Sequence, residues 1–176
     1  MKFCSHCGNH VTRKIPVGDA FIRFVCEQCG MIHYQNPKIV VGCIPEWKND
    51  ILLCKRAIEP RLGLWTIPAG FMENHETLEA AAARETFEEA MAVVDITSLF
   101  GVFSIPSVSQ VYIMFRGTMR TNDYGAGEES LEVGLFPVEA IPWDNLAFHV
   151  MHEGLSRYCQ DKKDGRFQVH RSMIDR

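Results

Sequence analysis

Glu85, Glu88 and Glu89 stand at i, i+3 and i+4 in a run without Gly or Pro, so on a helix their carboxylates form one patch about one turn long. The run from Thr77 to about Ala90 is dense in Ala, Glu and Leu, all strong helix formers, and Thr77 is its natural N-cap. For helix stability alone the patch is badly placed. Like charges at these spacings repel by roughly 0.2–0.5 kcal/mol per pair, and acidic groups in the last turns oppose the negative end of the helix dipole. Arg84 can neutralise one carboxylate, most simply Glu76 or Glu88, and a surplus remains. Clustered carboxylate oxygens are the ligands that Mg²⁺ and Mn²⁺ prefer. A second chemistry is carried by cysteines. Cys4-Ser-His-Cys7-Gly8 and Cys26-Glu-Gln-Cys29-Gly30, separated by 18 residues, have the spacing of a four-thiolate Zn²⁺ site of zinc-ribbon type. Four thiolates close the coordination sphere, so the ion is structural rather than catalytic.

Each site needs elements to hold it. Between the two knuckles, Val11–Ile15 and Ala20–Val25 read as short strands about a Pro16–Asp19 turn, with a third strand at Met31–Tyr34. A module this small buries too little apolar surface to fold alone, so the metal must supply its folding energy. Gln35–Lys38 reads as a linker, Pro37 holding Asn36 extended. The expected divisions are a ribbon over 1–34, a larger domain over 38–165 and a tail over 166–176. In the larger domain Ile39–Trp47 and Ile51–Arg56 form a hairpin about Lys48–Asp50, with Cys43 and Cys54 in its core. Leu64–Gly70 then delivers the chain to the acidic helix. That helix has apolar residues on two sides and is expected to be sandwiched, with only its acidic stripe open to a cleft. Strands follow at Val93–Phe103, Gln110–Met119 and Val133–Phe136, with a polar, Gly-rich and mobile loop at Thr121–Glu129. Phe148, Met151, Leu155 and Tyr158 mark an amphipathic helix from Ala147 to about Lys162, with His149 and His152 off its stripe. An edge strand and loose tail are expected in Phe167–Arg176. Arg56 and Arg61, past the second strand of the hairpin, are candidate phosphate contacts.

Composition narrows the classes. A chain of 176 residues suits one full domain and one small module, and a net charge of −4 argues against a nucleic-acid backbone as main partner. No run has signal-peptide character or the ~18–20 apolar residues of a membrane span, so a soluble, cytoplasmic protein is expected. A small nucleotide substrate and a homodimeric assembly are the expected partners.

The spacing Gly70, five residues, Glu76, seven residues, Arg84-Glu85, two residues, Glu88-Glu89 resembles the signature of the Nudix hydrolases, which cleave nucleoside diphosphates linked to another group. Thr86 stands where an aliphatic residue is usual, and Met91 replaces the Gly that closes the box. The resemblance spans Lys38 to about Asp161 and implies an α/β/α sandwich with a mixed sheet, here preceded by the zinc ribbon. It implies metal-assisted attack of water on a dinucleotide diphosphate. Glu85, Glu88 and Glu89, with Gly70, would form the Mg²⁺ or Mn²⁺ site, and Glu76 with Arg84 would orient it. A loop glutamate serves several members as base or extra ligand, which makes Glu129 and Glu132 candidates. Trp65, Phe71 and Tyr112 are possible stacking surfaces for a flavin or adenine.

The ribbon narrows the family further. NADH pyrophosphatases carry a Gln-Pro-Trp-Pro-Phe-Pro tract that Ser104–Tyr112 lacks. The chain is more similar to a set that includes the plant plastid FAD and ADP-ribose pyrophosphatase. It looks like that set at Cys26–Gly30, Tyr34–Lys38, Leu64–Gly70 and Glu128–Glu132. FAD and ADP-ribose are therefore the expected substrates, each releasing AMP. The alternatives are an NADH pyrophosphatase-like activity and a non-catalytic ligand sensor that uses the ribbon to bind a partner.

Overall fold

Strands β1 (Val11–Lys14), β2 (Arg23–Cys26) and β3 (Ile32–His33) form an antiparallel sheet in that order. They belong to the first of two units into which this computed structural model divides, Met1–Pro37 and the chain from Lys38 onward; residues 1–175 are described. Strand β2 begins three residues later than the sequence suggests. The Asp19 carboxylate accepts the N–H groups of Ala20 and Phe21 at 2.7 and 3.0 Å, which keeps those residues in the turn.

The second unit is built on β4 (Lys38–Trp47), β5 (Asp50–Arg56), β6 (Trp65–Thr66) and β7 (Ala69–Phe71), followed by helix α1 (Leu78–Ala90). The chain continues through β8 (Val94–Ile105), β9 (Gln110–Met119), β10 (Ser130–Pro137), helix α2 (His149–Asp164) and β11 (His170–Met173). The sheet order is β10-β5-β4-β9-β8-β11, with β6 beside β5 and β7 beside β4. The β4–β9 and β8–β11 pairs are parallel and the rest antiparallel, so the sheet is mixed. The edge strand expected within Phe167–Arg176 is β11; Arg176 itself lies outside the described residues.

Side chains alternate across the sheet as strand geometry requires. Val41, Cys43, Leu52, Cys54 and Phe115 pack with Ala81, Ala82 and Ala90 of α1. Ile44, Ile51, Leu53 and Met114 pack with Val150, Met151, Leu155 and Tyr158 of α2. The result is an α/β/α sandwich, as expected, and His149 and His152 lie off the buried α2 stripe.

One feature of the sheet makes room for a site. Strands β4 and β5 are paired only at their hairpin end, Glu46–Trp47 with Asp50–Ile51. Beyond it they part, and β7 pairs with Val40–Gly42 while β6 pairs with Cys54–Lys55. The connection between β6 and β7 thus enters the gap, where α1 covers it.

Helix α1 departs from expectation on its burial. Its buried face is Ala81, Ala82, Glu85, Thr86, Glu89 and Ala90, whereas Phe87 is 53% exposed. The acidic stripe is therefore not the open face of a sandwiched helix; Glu85 and Glu89 point toward the sheet and only Glu88 is outside. Alanines on both sides carry too little apolar surface to decide which side turns inward. Thr86, fully buried, is satisfied by donating its hydroxyl to Ala82 O at 2.7 Å. The segment 121–129 has no regular secondary structure but is tied to the end of α1. Gly125 N–H donates to Ala90 O at 2.9 Å and Gly127 N–H to Glu89 O at 3.1 Å, pairing carbonyls that a helix end leaves free. A Cβ on Gly127 would overlap the Glu88 carbonyl.

Met91 closes the helix in the left-handed conformation, φ 51°, donating its N–H to Phe87 O. It occupies the backbone state that the usual glycine adopts freely, at a cost of about 1–2 kcal/mol for an L side chain. Met91 is 54% exposed and buries little in return. Met91→Gly is expected to stabilise the protein by about 0.5–1 kcal/mol, the strain relief less the added flexibility of Gly in the unfolded chain. Denaturant titration of both proteins checks this; an unchanged or lower midpoint refutes it.

Candidate active site

Arg84 is the hub of the acidic patch. Its Nε and Nη2 form a two-pronged pair with Glu76 at 3.1 and 2.8 Å, while Nη1 donates to Glu85 Oε1 and Glu88 Oε2, both at 2.8 Å. Nη2 also reaches Phe71 O at 3.2 Å, which ties β7 to the helix. Glu76 is fixed in turn by Glu73 N–H at 2.6 Å, and the Arg84 guanidinium holds its carboxyl below the usual range. Arg84 thus meets three carboxylates and joins the two box residues, Glu76 and Glu85, that the sequence separates.

Glu89 lies apart from this fork. It is 6% exposed and its Oε2 accepts Ala69 N–H, on β7, at 3.2 Å. Burial pushes its carboxyl up to about 8, with the Glu85 charge adding to the rise. Glu85, 8% exposed, is also raised by burial, against the pull of Arg84. Gly70 makes the close approach possible, since a Cβ there would fall inside the Glu85 carboxylate. With Arg84 shared among Glu76, Glu85 and Glu88, and Arg56 acting on Glu89 only through its charge, the two buried carboxylates are short of positive charge.

The other candidates divide. Glu129 contributes to the field on both Glu85 and Glu89. Glu132 instead pairs with Lys55 at 3.3 Å, with its side chain 59% exposed. Arg56 acts on Glu89 as the opposing charge; its Nε donates to Pro60 O at 2.9 Å and its guanidinium lies 5.3 Å from the Phe148 ring centre. Arg61 lies in the exposed turn after β5. Two of the three stacking candidates are corrected. Trp65 is buried edge-on against Phe136 at 4.8 Å, and Tyr112 is buried in the α2-side layer, so neither offers a face to a ligand. Their positions on paired strands turn them into the core. Phe71 is exposed, with Lys38 Nζ 4.6 Å from its ring centre.

Sequence reasoning missed Ala69, whose contribution is a backbone N–H and leaves no mark in residue type. It also missed Phe148, read only as part of the apolar stripe of α2, and Gly127, for which the Gly-rich run was the available signal.

In the first unit the sulfurs of Cys4, Cys7, Cys26 and Cys29 lie within 4.8 Å of one another. The Cys4–Cys29 and Cys7–Cys26 sulfurs are 3.7 and 3.4 Å apart, against about 3.8 Å for the edge of a tetrahedron with 2.3 Å metal–sulfur bonds. Gly8 and Gly30 have φ of 74° and 73°, and their N–H groups turn back to Cys4 O and Cys26 O. The knuckles are therefore matched turns. His33 Nε2 lies 3.3 Å from Cys4 Sγ, and His6 N–H donates to the same sulfur at 3.4 Å. Among the described residues this is the group of His, Cys, Asp or Glu whose ligand atoms converge so closely; at the acidic patch Arg84 stands between Glu85 and Glu88.

Residues 36–154 match the NUDIX domain family, and residues 2–35 match a zinc-ribbon family described as Nudix N-terminal. The chain is 33% identical over 136 residues to the ADP-ribose pyrophosphatase of Methanocaldococcus jannaschii, covering 75% of this chain and 78% of that protein. It is also 33% identical over 130 residues to the NAD-capped RNA hydrolase NudC of Vibrio parahaemolyticus, covering 73% of this chain but 45% of that relative. Among solved structures, the crystal structure of a NUDIX hydrolase from Nitrosomonas europaea superposes with a TM-score of 0.93 at 53% identity, covering 99% of this chain and all of that one.

Proposed function

The chain belongs to the Nudix hydrolase family, with the family's N-terminal zinc-ribbon module, and from that premise we propose divalent-metal-dependent cleavage of the diphosphate in ADP-ribose or FAD, with release of AMP. The observation that carries the metal dependence is the buried pair Glu85 and Glu89, held against the backbone of Ala69 and Gly70 and short of positive charge. A hard dication with oxygen preference fits that donor set. ADP-ribose is favoured by the M. jannaschii relative, and FAD by the likeness to the plastid set at Tyr34–Lys38 and Leu64–Gly70.

In this reading Glu85, Glu88 and Glu89, with Gly70, make the Mg²⁺ or Mn²⁺ site, and the Glu76–Arg84 pair orients it. A dication held there would polarise the phosphoryl oxygens and ease formation of the nucleophile. Glu129 takes the proton of the attacking water as its oxygen bonds to phosphorus and the bridging P–O bond breaks. Arg56, braced by Pro60 and Phe148, contacts the phosphates. The products are AMP with ribose 5-phosphate, or AMP with FMN. The cysteine cluster holds Zn²⁺, and the working assembly is a homodimer.

An NAD-linked substrate is the second reading, favoured by the NudC relative and opposed by the absence of the Gln-Pro-Trp-Pro-Phe-Pro tract. One panel separates them: ADP-ribose, FAD and NADH with Mg²⁺ or Mn²⁺, followed by nucleotide chromatography. AMP from the first two, faster than from NADH, is the expected result. Preference for NADH transfers the assignment to the second reading, and no turnover of any member removes both.

A further inference from the structure

Among the described residues, the buried side-chain oxygens without a hydrogen-bond partner are Tyr112 OH and Ser130 Oγ. Ser130 has the Cys54 thiol beside it; burial pushes that thiol up, and the Ser130 hydroxyl opposes the rise. The groups that bear on Tyr112 do so through charge alone: Glu89, Glu85, Arg56 and the Cys43 thiol. Its ring fills the α2-side layer as a phenylalanine would, and an unpaired buried hydroxyl is destabilising. A buried hydroxyl therefore needs a partner, and one that stands beside a reactive centre points to function.

The position of Tyr112 is specific. Its oxygen lies over Gly42: a Cβ on that glycine would stand 2.8 Å from Tyr112 OH, 2.7 Å from Ala69 Cβ and 3.1 Å from Pro68 O. Ala69 is the residue whose N–H donates to Glu89 Oε2. The hydroxyl and the Glu89 carboxylate therefore flank the same short segment, Pro68–Ala69, in the gap between β4 and β5. Their needs are complementary, since a carboxylate accepts at about four lone-pair positions and the hydroxyl has a proton to donate. Burial and the charges of Glu89 and Glu85 keep Tyr112 protonated, so it remains a donor. A water between them would have Tyr112 OH, the Glu89 carboxylate and the second lone pair of Pro68 O as partners, which is the number a buried water needs.

We propose that Tyr112 is a positioning residue for the hydrolytic site, supporting Glu89 from behind through Pro68–Ala69 and a buried water shared by the hydroxyl and the carboxylate. The inference rests on the assignment of Glu89 to the metal site. Groups that brace a metal ligand in this way typically change metal affinity or activity by about 10–100-fold when removed.

The test compares Tyr112→Phe with Tyr158→Phe. Tyr158 lies in the same apolar layer, but its hydroxyl is not among the unpartnered buried oxygens, and the charges that bear on it are those of Glu46 and Arg116. Three quantities are read on each purified full chain: Tm without divalent metal, Mn²⁺ affinity by water-proton relaxation, and turnover of ADP-ribose. Tyr112→Phe is expected to remain folded in the metal-free melt, with Mn²⁺ binding weaker by about 10-fold and kcat lower by a similar factor with KM little changed. Tyr158→Phe should keep Mn²⁺ affinity and kcat intact whatever its effect on Tm. Wild-type Mn²⁺ affinity in Tyr112→Phe overturns the proposal, and so does an equal loss of Mn²⁺ affinity in Tyr158→Phe. Because Mn²⁺ binding is read without substrate, an inactive wild type would refute the substrate assignment and leave this test in force.

Discussion

Glu89→Gln is expected to lose turnover by at least about 100-fold and, in the absence of metal, to be more stable than wild type at pH 8. The first effect follows from the role proposed for Glu89, because a neutral amide is a far weaker ligand for a hard dication than a carboxylate. The second follows from burial. Glu89 is 6% exposed, and burial lifts its carboxyl from 4.5 to about 8. Between those values the folded chain keeps a proton that the unfolded chain has released. Folding therefore binds protons, and stability falls as pH rises from about 4.5 toward 8. The amide of the variant has no proton to lose at this position, so the variant escapes that fall. The difference is on the order of a few kcal/mol at pH 8 and small near pH 5. Urea titrations of both proteins in EDTA at the two pH values, with turnover measured in Mg²⁺, examine both halves. Wild-type turnover would remove Glu89 from the metal site, and a pH-independent stability difference would refute the burial argument. The two effects together mark a carboxylate kept in an unfavourable place for chemistry.

That place is only half visible in the sequence. The i, i+3, i+4 spacing makes Glu85, Glu88 and Glu89 neighbours on any helix, and Thr77 does cap α1, accepting Ala80 N–H at 3.1 Å. Spacing does not say which way a helix turns. With Ala on two sides of α1, the inward face was set by the fit of Ala81 and Ala82 beneath β4 and β5, and it carried Glu85 and Glu89 inside with it. The same limit explains Trp65 and Tyr112. Residue type marks them as ligand-stacking or core alike, and only strand pairing places them in the interior. The sandwich itself was readable because period-2 and period-3.6 patterns are local. The parting of β4 from β5, which creates the site, depends on a pairing of β7 with β4 across about thirty residues and has no local signal.

Cys26→Ala is expected to release the zinc proposed for the ribbon and to unfold the first unit while the second keeps its structure. The reason lies in what that unit buries. Its buried hydrophobic residues are Cys4, Val25 and Cys26, whereas Phe3, Ile15, Val17, Phe21, Ile22 and Tyr34 are each more than half exposed. At about 25 cal/mol per Å² of apolar surface, so little burial cannot offset the ordering of some thirty-five residues. A four-thiolate zinc site contributes about 10–16 kcal/mol of apparent binding free energy, available only to the folded chain. Removing Cys26, whose sulfur sits 3.4 Å from that of Cys7, opens the closed sphere on its buried side. The second unit has apolar layers on both faces of its own sheet and does not draw on the metal. Hydrogen exchange with peptide resolution, alongside metal analysis, gives the readout. Protection should vanish from β1 and β2 together with the zinc, and persist in β8 and β9. Retained protection in β1 and β2 without bound metal would mean that the ribbon's hydrogen bonds and few buried side chains suffice, contrary to what its exposed residues imply.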